Sequence, residues 1–261
     1  MRNRLIQLLA DNRQVPDRKF EVRNLEESGG EAEILLYDAI VDSELEAEWW
    51  GGVAPESFVR ALREIDASTI HLRINSPGGS VFAARAMETA LREHKARIVV
   101  HIDALAASAA SFLAMAGDEI VIAKGAMVMI HKAWTYAWGN ATELTKTAAL
   151  LDKIDGTLVE TYVDRTGQSA DDVSQWMADE TWFTAQEAVD LGFADRVAEP
   201  AATTGAHAAW NLRAYLRAPE RVQTSASPAS PAAPAPADHI NPDHRARQRQ
   251  RCRLLEAAPI E

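Results

Sequence analysis

Between residues 34 and 199, apolar runs of strand length alternate with longer segments of helical period, and this alternation restricts the fold more than any other feature of the chain. Residues 34–41 have the length of a buried strand, and Ile70, Leu72 and Ile74 alternate as a strand with one buried face does. From 80 to 95 the period changes, with Phe82, Ala86 and Ala90 beside Val81, Met87 and Leu91 on one helical stripe. Residues 97–102 predict another strand, 104–116 a closely packed helix of small residues, and 120–123 and 127–130 two short strands. Over 142–166, Leu144, Ala148, Leu151, Leu158 and Tyr162 recur near 3.6 residues, which predicts a long amphipathic helix stopped by Gly167. Thr184 with Glu187 forms a capping box opening a short helix that Gly192 closes. The expected fold class is α/β.

With 47% apolar residues in 261, the chain can bury a full core, and length alone allows one domain or two. Four segments are expected: a body over 1–199, a short helical extension over 200–223, a Pro/Ala-rich linker over 224–237 and a basic tail over 238–261. The linker lacks large apolar side chains and cannot offset the entropy of ordering it, so a disordered Ala/Pro-rich tail is expected. The body to Glu199 carries 19 basic against 33 acidic residues, a net of −14, and so disfavours nucleic acid as a partner. Beyond it eight arginines face five acids, and five of the arginines lie between 245 and 253. The longest apolar run, 104–116, is too short and too rich in Ala and Ser to span a bilayer, so no membrane partner is expected. Asp11, Asn12 and Arg13 cut off the apolar start, and the single Cys252 suits a reducing compartment; the cytoplasm is the expected location.

Two places carry candidate chemistry. Asn75-Ser-Pro-Gly-Gly-Ser80 joins a strand to a helix, and its paired glycines let backbone N–H groups approach a ligand, which makes Ser76, Pro77 and Gly78 candidate substrate contacts. Ser108, in Ala104-Leu-Ala-Ala-Ser-Ala-Ala-Ser-Phe112, follows a strand and opens a helix, where a nucleophile would be exposed at a sheet edge. Close packing is the competing reading for Ser108 and the stronger one for Ser111, nearly a turn further on. A serine needs a base, and histidine suits proton transfer near neutrality. Of seven histidines, His207, His239 and His244 lie in the tail, His94 at a polar helix end, and His71 and His101 within strands. His131 ends the apolar strand of residues 127–130, where a side chain can project into a site.

Taken together, Ile74-Asn-Ser-Pro-Gly-Gly79, Ala106-Ala-Ser-Ala109 with Phe112-Leu, and Met129-Ile-His131 resemble, in order, the oxyanion loop, nucleophile and base segments of the ClpP family of serine peptidases. The resemblance runs from about residue 34 to 197. It implies Ser108 as nucleophile, His131 as base, and the N–H groups of Gly79 and Ala109 as the oxyanion hole. It also implies a crotonase-like βαβ spiral (the ClpP fold) with a protruding handle helix at 142–166, stacked rings of identical subunits, and no cofactor or metal. The chain departs from the family's pattern at Leu105, Ala109 and Ala133, none a reacting group. The third catalytic member aligns to Glu180, with Asp179 in reserve; a Glu orients imidazole as an Asp does, from one methylene further away.

Glu180-Thr-Trp, Trp49-Trp-Gly-Gly52 and Ala104-Leu-Ala-Ala-Ser108 are similar to the phage and prophage branch of the family, whose members process capsid or scaffold protein during prohead maturation. The expected activity is therefore a serine endopeptidase working through an acyl-enzyme, with capsid or scaffold protein as partner. The alternatives are a general degradative peptidase fed by a Clp-type ATPase, a Ser–Lys peptidase using Lys124, Lys132 or Lys146, an acyl-CoA enzyme of the same fold, and an inactive capsid scaffold. The chain has no nucleotide-binding motif, so any ATP use would belong to a partner.

Overall fold

The computed structural model describes residues 4–25, 30–199 and 210–219. The chain divides after Ser225 into two units, and every described residue belongs to the first. The linker of 224–237 and the tail of 238–261 lie outside the described residues, as do His207, His239 and His244.

The fold is mixed α/β around a mainly parallel sheet. In chain order the described elements are α1 (Arg4–Asp11), β1 (Lys19–Leu25), β2 (Glu31–Tyr37), α2 (Glu44–Trp50), α3 (Pro55–Arg63), β3 (Thr69–Ser76), α4 (Val81–Glu93), β4 (Arg97–Ala107) and α5 (Ala109–Ala114). There follow β5 (Glu119–Ile122), β6 (Met127–Ile130), α6 (Ala141–Thr166), α7 (Ala170–Ala178), β7 (Thr181–Thr184), α8 (Ala185–Asp190) and β8 (Arg196–Val197). Strands β2, β3, β4, β5 and β8 are parallel neighbours in that order, and β1 pairs antiparallel with β2 at the edge. Helices α3 and α4 supply the crossovers that parallel neighbours require.

The alternation along β3 sets which face is core. Register aligns Ile34, Leu72, Val100 and Ile120 in one row across four strands, and all four are fully buried. The opposite face is polar: Arg73 forms a two-bonded ion pair with Asp103, Tyr37 donates to the same carboxylate, and His71 Nδ1 lies 3.0 Å from His101 Nε2. Burial, reinforced by Arg73 and His71 and opposed by Asp103, pushes His101 down to about 4. Its folded value lies below the ordinary histidine value, so stability from the neutral ring is full above about pH 6.5 and is lost as pH falls toward 4. Replacing His101 with Gln is expected to remove a pH-dependent loss on the order of 1 kcal/mol over that window, after solvent screening. Thermal melting of both forms between pH 7 and 4 checks this: parallel curves would contradict it.

The helix expected over 104–116 is shorter than its composition suggests. Strand β4 continues through Ala107, and only residues 109–114 are helical. Leu105, Ala106 and Ala107 pair in parallel with Met127, Val128 and Met129, and this ladder outweighs the helical preference of alanine. Strand β4 therefore branches, its residues 99–102 pairing with β5 and 105–107 with β6, which in turn pairs antiparallel with β7.

Helix α6 begins at a capping box of Asn140 with Glu143 and ends at Gly167 in the left-handed region, φ 70°. Only its C-terminal half is seated: Leu158 and Tyr162 are buried, whereas Leu144 and Leu150 are exposed. The remaining described part of the helical extension expected over 200–223, residues 210–219, contains turns and bends and no helix. Side chains satisfy its backbone instead, as described below. Among the described residues, no helix is long and apolar enough to cross a membrane.

Candidate active site

The branch of β4 brings the two candidate segments together. Ala107 is opposite Met129, so Ser108 leaves β4 just where His131 leaves β6. The Ser108 N–H donates to the Met129 carbonyl at 2.9 Å, and Ser108 Oγ lies 2.7 Å from His131 Nε2. That distance suits transfer of the hydroxyl proton to a neutral imidazole. Ser108 has φ 54° and ψ −123°, a conformation that costs an ordinary residue about 1–3 kcal/mol. It persists because the β4–β6 ladder fixes one side of the turn and buried α5 the other. Ser111 is fully buried; its Oγ donates to the Ser108 carbonyl at 2.6 Å and lies 2.8 Å from Tyr162 Oη, so it braces the turn.

The glycine loop lies against this turn. A Cβ on Gly78 would sit 2.4 Å from the Ala107 carbonyl oxygen and 2.8 Å from Ser108 Cβ. One on Gly79 would sit 1.9 Å from the Ile40 carbonyl oxygen. Ile40 donates to Gly78 O and accepts from Ser80 N–H, both at 2.9 Å, so this bridge does not use the N–H of Gly79. The N–H of Ala109, first residue of α5, is among those that a helix leaves without an intrahelical acceptor. A carbonyl oxygen presented to Gly79 and Ala109 would be polarised for attack by Ser108.

A cleft of about 490 Å³ contains Ser108 and His131 and is walled by Gly79, Val81, Phe82, Trp134, Leu151 and Ile154. Ser76, Pro77 and Gly78, expected to touch substrate, are buried and do not line this cleft. Ser76 Oγ accepts the Gly78 N–H at 3.1 Å. The wall is made by 79–82 rather than 76–78.

The candidate acids are both engaged with the C-terminal segment. Glu180 is buried, with φ 51°, and its two oxygens accept the N–H groups of Leu216 (2.9 Å) and Arg217 (2.6 Å). Asp179 is half-buried and bonds Gln175 Nε2 (2.6 Å) and Arg217 (3.2 Å), and the Gln175 bond, then the Arg217 bond and charge, hold its carboxyl below the usual range. The base within hydrogen-bonding reach of Ser108 Oγ is His131 and not Lys124, Lys132 or Lys146. His94 Nδ1 accepts the Ala96 N–H on the far side of α4's end, and His71 and His101 stay on the polar sheet face.

One part of the site was not anticipated. Tyr215 lines the cleft, donates to the Pro77 carbonyl, and meets the His131 ring edge-on at 5.5 Å. The available signal was two large aromatics, Trp210 and Tyr215, in the otherwise Ala-rich stretch from 200 to 237.

Comparison with known proteins gives the family. The family described as Clp protease matches residues 56–201, which include the glycine loop, Ser108, His131 and Glu180. The chain is 32% identical over 171 residues to ATP-dependent Clp protease proteolytic subunit 1 of Leifsonia xyli subsp. xyli (strain CTCB07), covering 64% of this chain and 86% of that relative. It is 32% identical over 143 residues to ATP-dependent Clp protease proteolytic subunit 2 of Rhodococcus jostii (strain RHA1), covering 52% and 71%. With a serine and a histidine in contact at the end of two paired strands, and over half of its length matched, the chain belongs to the Clp protease family of serine peptidases.

Proposed function

We propose that this chain is a serine endopeptidase in which Ser108 attacks the scissile carbonyl, His131 takes and returns the proton, and the N–H groups of Gly79 and Ala109 hold the oxyanion. The observation that carries this reading is the 2.7 Å contact of Ser108 Oγ with His131 Nε2 beside the glycine loop. As Oγ bonds to the carbonyl carbon, its proton passes to Nε2, and the imidazolium then protonates the departing amine. Water repeats the sequence on the acyl-enzyme, losing its proton to His131 and releasing Ser108. No cofactor is called for. The apolar and aromatic wall of Phe82, Trp134, Leu151 and Ile154 suits an extended peptide with apolar side chains.

In this reading the branched sheet is the crotonase-like spiral and α6 its handle. Its exposed N-terminal half, with Leu144 and Leu150, provides apolar surface for a second copy of the chain in stacked rings. The natural substrate is capsid or scaffold protein during prohead maturation, a reading supported by Glu180-Thr-Trp, Trp49-Trp-Gly-Gly52 and Ala104-Leu-Ala-Ala-Ser108. The alternative, a degradative subunit served by a Clp-type ATPase, is favoured by the names of the two relatives.

A fluorophosphonate probe is expected to label Ser108 stoichiometrically, identified by peptide mapping, with labelling abolished in Ser108→Ala. Ser111→Ala should still label while losing about 1–3 kcal/mol of stability, since it leaves two buried hydrogen-bonding groups without this partner. Label on Ser111, or none on the unaltered chain, would overturn the assignment. Cleavage of co-expressed scaffold protein without an ATPase distinguishes the prohead role from the degradative one.

A further inference from the structure

Residues 210–219 lie beyond the stretch matched by the family, yet they meet the catalytic centre at several points. They form no helix or strand. Trp210, Leu212, Ala214 and Tyr215 are all buried and form one apolar cluster with Leu8 of α1, Leu105 and Ala107 of β4, and Met129 of β6. That cluster backs the two strands that deliver Ser108 and His131.

Side chains of the body replace regular backbone pairing for this segment. Asn12 exchanges a reciprocal pair with Asn211, its Oδ1 accepting the N–H at 2.6 Å and its Nδ2 donating to the carbonyl at 2.9 Å. Trp210 Nε1 donates to Asn75 Oδ1 at 2.8 Å. Glu180 accepts the N–H groups of Leu216 and Arg217. Between these anchors the Tyr215 hydroxyl donates to the Pro77 carbonyl, while its ring abuts His131 and Trp182. The strap thus bonds Asn75 and Pro77 at the start of the loop that carries Gly79. A loop with two successive glycines has wide conformational freedom, and an oxyanion donor is effective only when held in place beforehand.

We propose that residues 210–219 are a positioning strap of the catalytic centre, in which Tyr215 fixes the glycine loop and the His131 ring and Glu180 is the carboxylate that pins the strap. This rests on the peptidase reading above. Glu180 then acts on the imidazole through the strap and Tyr215.

The test uses the full chain. Labelling of Ser108 by a fluorophosphonate, and kcat and KM on a small peptide amide, are measured for Tyr215→Phe, Glu180→Gln and the double variant, together with melting temperature. Tyr215→Phe keeps the ring and removes only the hydroxyl, so folding is preserved. It is expected to lower kcat and the labelling rate about tenfold, with KM unchanged and the melting point lowered by about 2–4 °C for each kcal/mol that the unpaired Pro77 carbonyl costs. Glu180→Gln should act in the same direction, and the double variant should be no slower than the slower single variant, because both changes loosen one element. Wild-type kcat and labelling in Tyr215→Phe would overturn the strap. Multiplying losses in the double variant, with a shifted pH profile in Glu180→Gln alone, would overturn the pinning role and return Glu180 to the triad. If the unaltered chain is not labelled at Ser108, the peptidase reading itself falls, an outcome distinct from equal labelling of the unaltered chain and Tyr215→Phe.

Discussion

His131→Ala is expected to lower kcat/KM on a peptide amide by about four orders of magnitude or more, and combining it with Ser108→Ala should cost nothing further. A serine hydroxyl is hardly ionised at neutral pH, so attack depends on the proton leaving for Nε2 as the new bond forms, and His131 provides the nitrogen 2.7 Å away. Without the imidazole, Ser108 loses its base, and without Ser108 the imidazole has no oxygen to activate. Each single change should therefore leave the same residual rate, supplied by the oxyanion donors and by binding. Both side chains sit at the cleft and not in the interior of the core, so melting temperature and sedimentation should change little. Kinetics of the two single variants and the double variant check this. Losses that multiply would show that the two residues do not act as one unit.

Gly79→Ala should be almost as damaging, through the backbone. The added Cβ would lie 1.9 Å from the Ile40 carbonyl oxygen and 2.8 Å from its carbon, at a residue with φ 147°. Neither neighbour is a flexible side chain, so the bridge between Ile40 and Gly79 must open and carry the Gly79 N–H away from the oxyanion. Loss of one oxyanion donor costs about 100- to 1,000-fold in kcat, and the forced backbone about 2 kcal/mol or more of stability. Gly125→Ala is the matched control. Gly125 also has positive φ, 92°, but a Cβ there meets nothing within 4 Å, so it should show only the conformational cost, about 1 kcal/mol, with kcat retained. Comparable losses of activity in the two variants would mean that general destabilisation, and not the displaced donor, explains Gly79→Ala.

What the sequence determined by itself was whatever depends on neighbours within a few turns. The core face of β3 follows from Ile70, Leu72 and Ile74, because side chains on a strand alternate between faces. The start of α8 follows from Thr184 and Glu187, and the end of α6 from Gly167, because caps satisfy backbone groups one turn away. The pairing of Ser108 with His131 was legible only through the order of three short motifs and the family they resemble, since the period by itself placed Ser108 inside a helix over 104–116 and not at the end of β4. Other features depended on contacts that no local pattern encodes. Alanines 106 and 107 carry a helical preference, and only the partner strand β6 turns them into β4. Leu144 fits the apolar period of α6 yet stays exposed, because the body reaches only the helix's C-terminal half. Glu180 aligned as a catalytic acid, but its oxygens meet backbone N–H groups 36 and 37 residues further along. Trp210 and Tyr215 find Asn75 and Pro77 across 135 and 138 residues. An irregular segment has no period to betray it; its place is decided by the hydrogen-bonding groups and apolar surface that the folded body leaves for it, and these exist only once the sheet has formed.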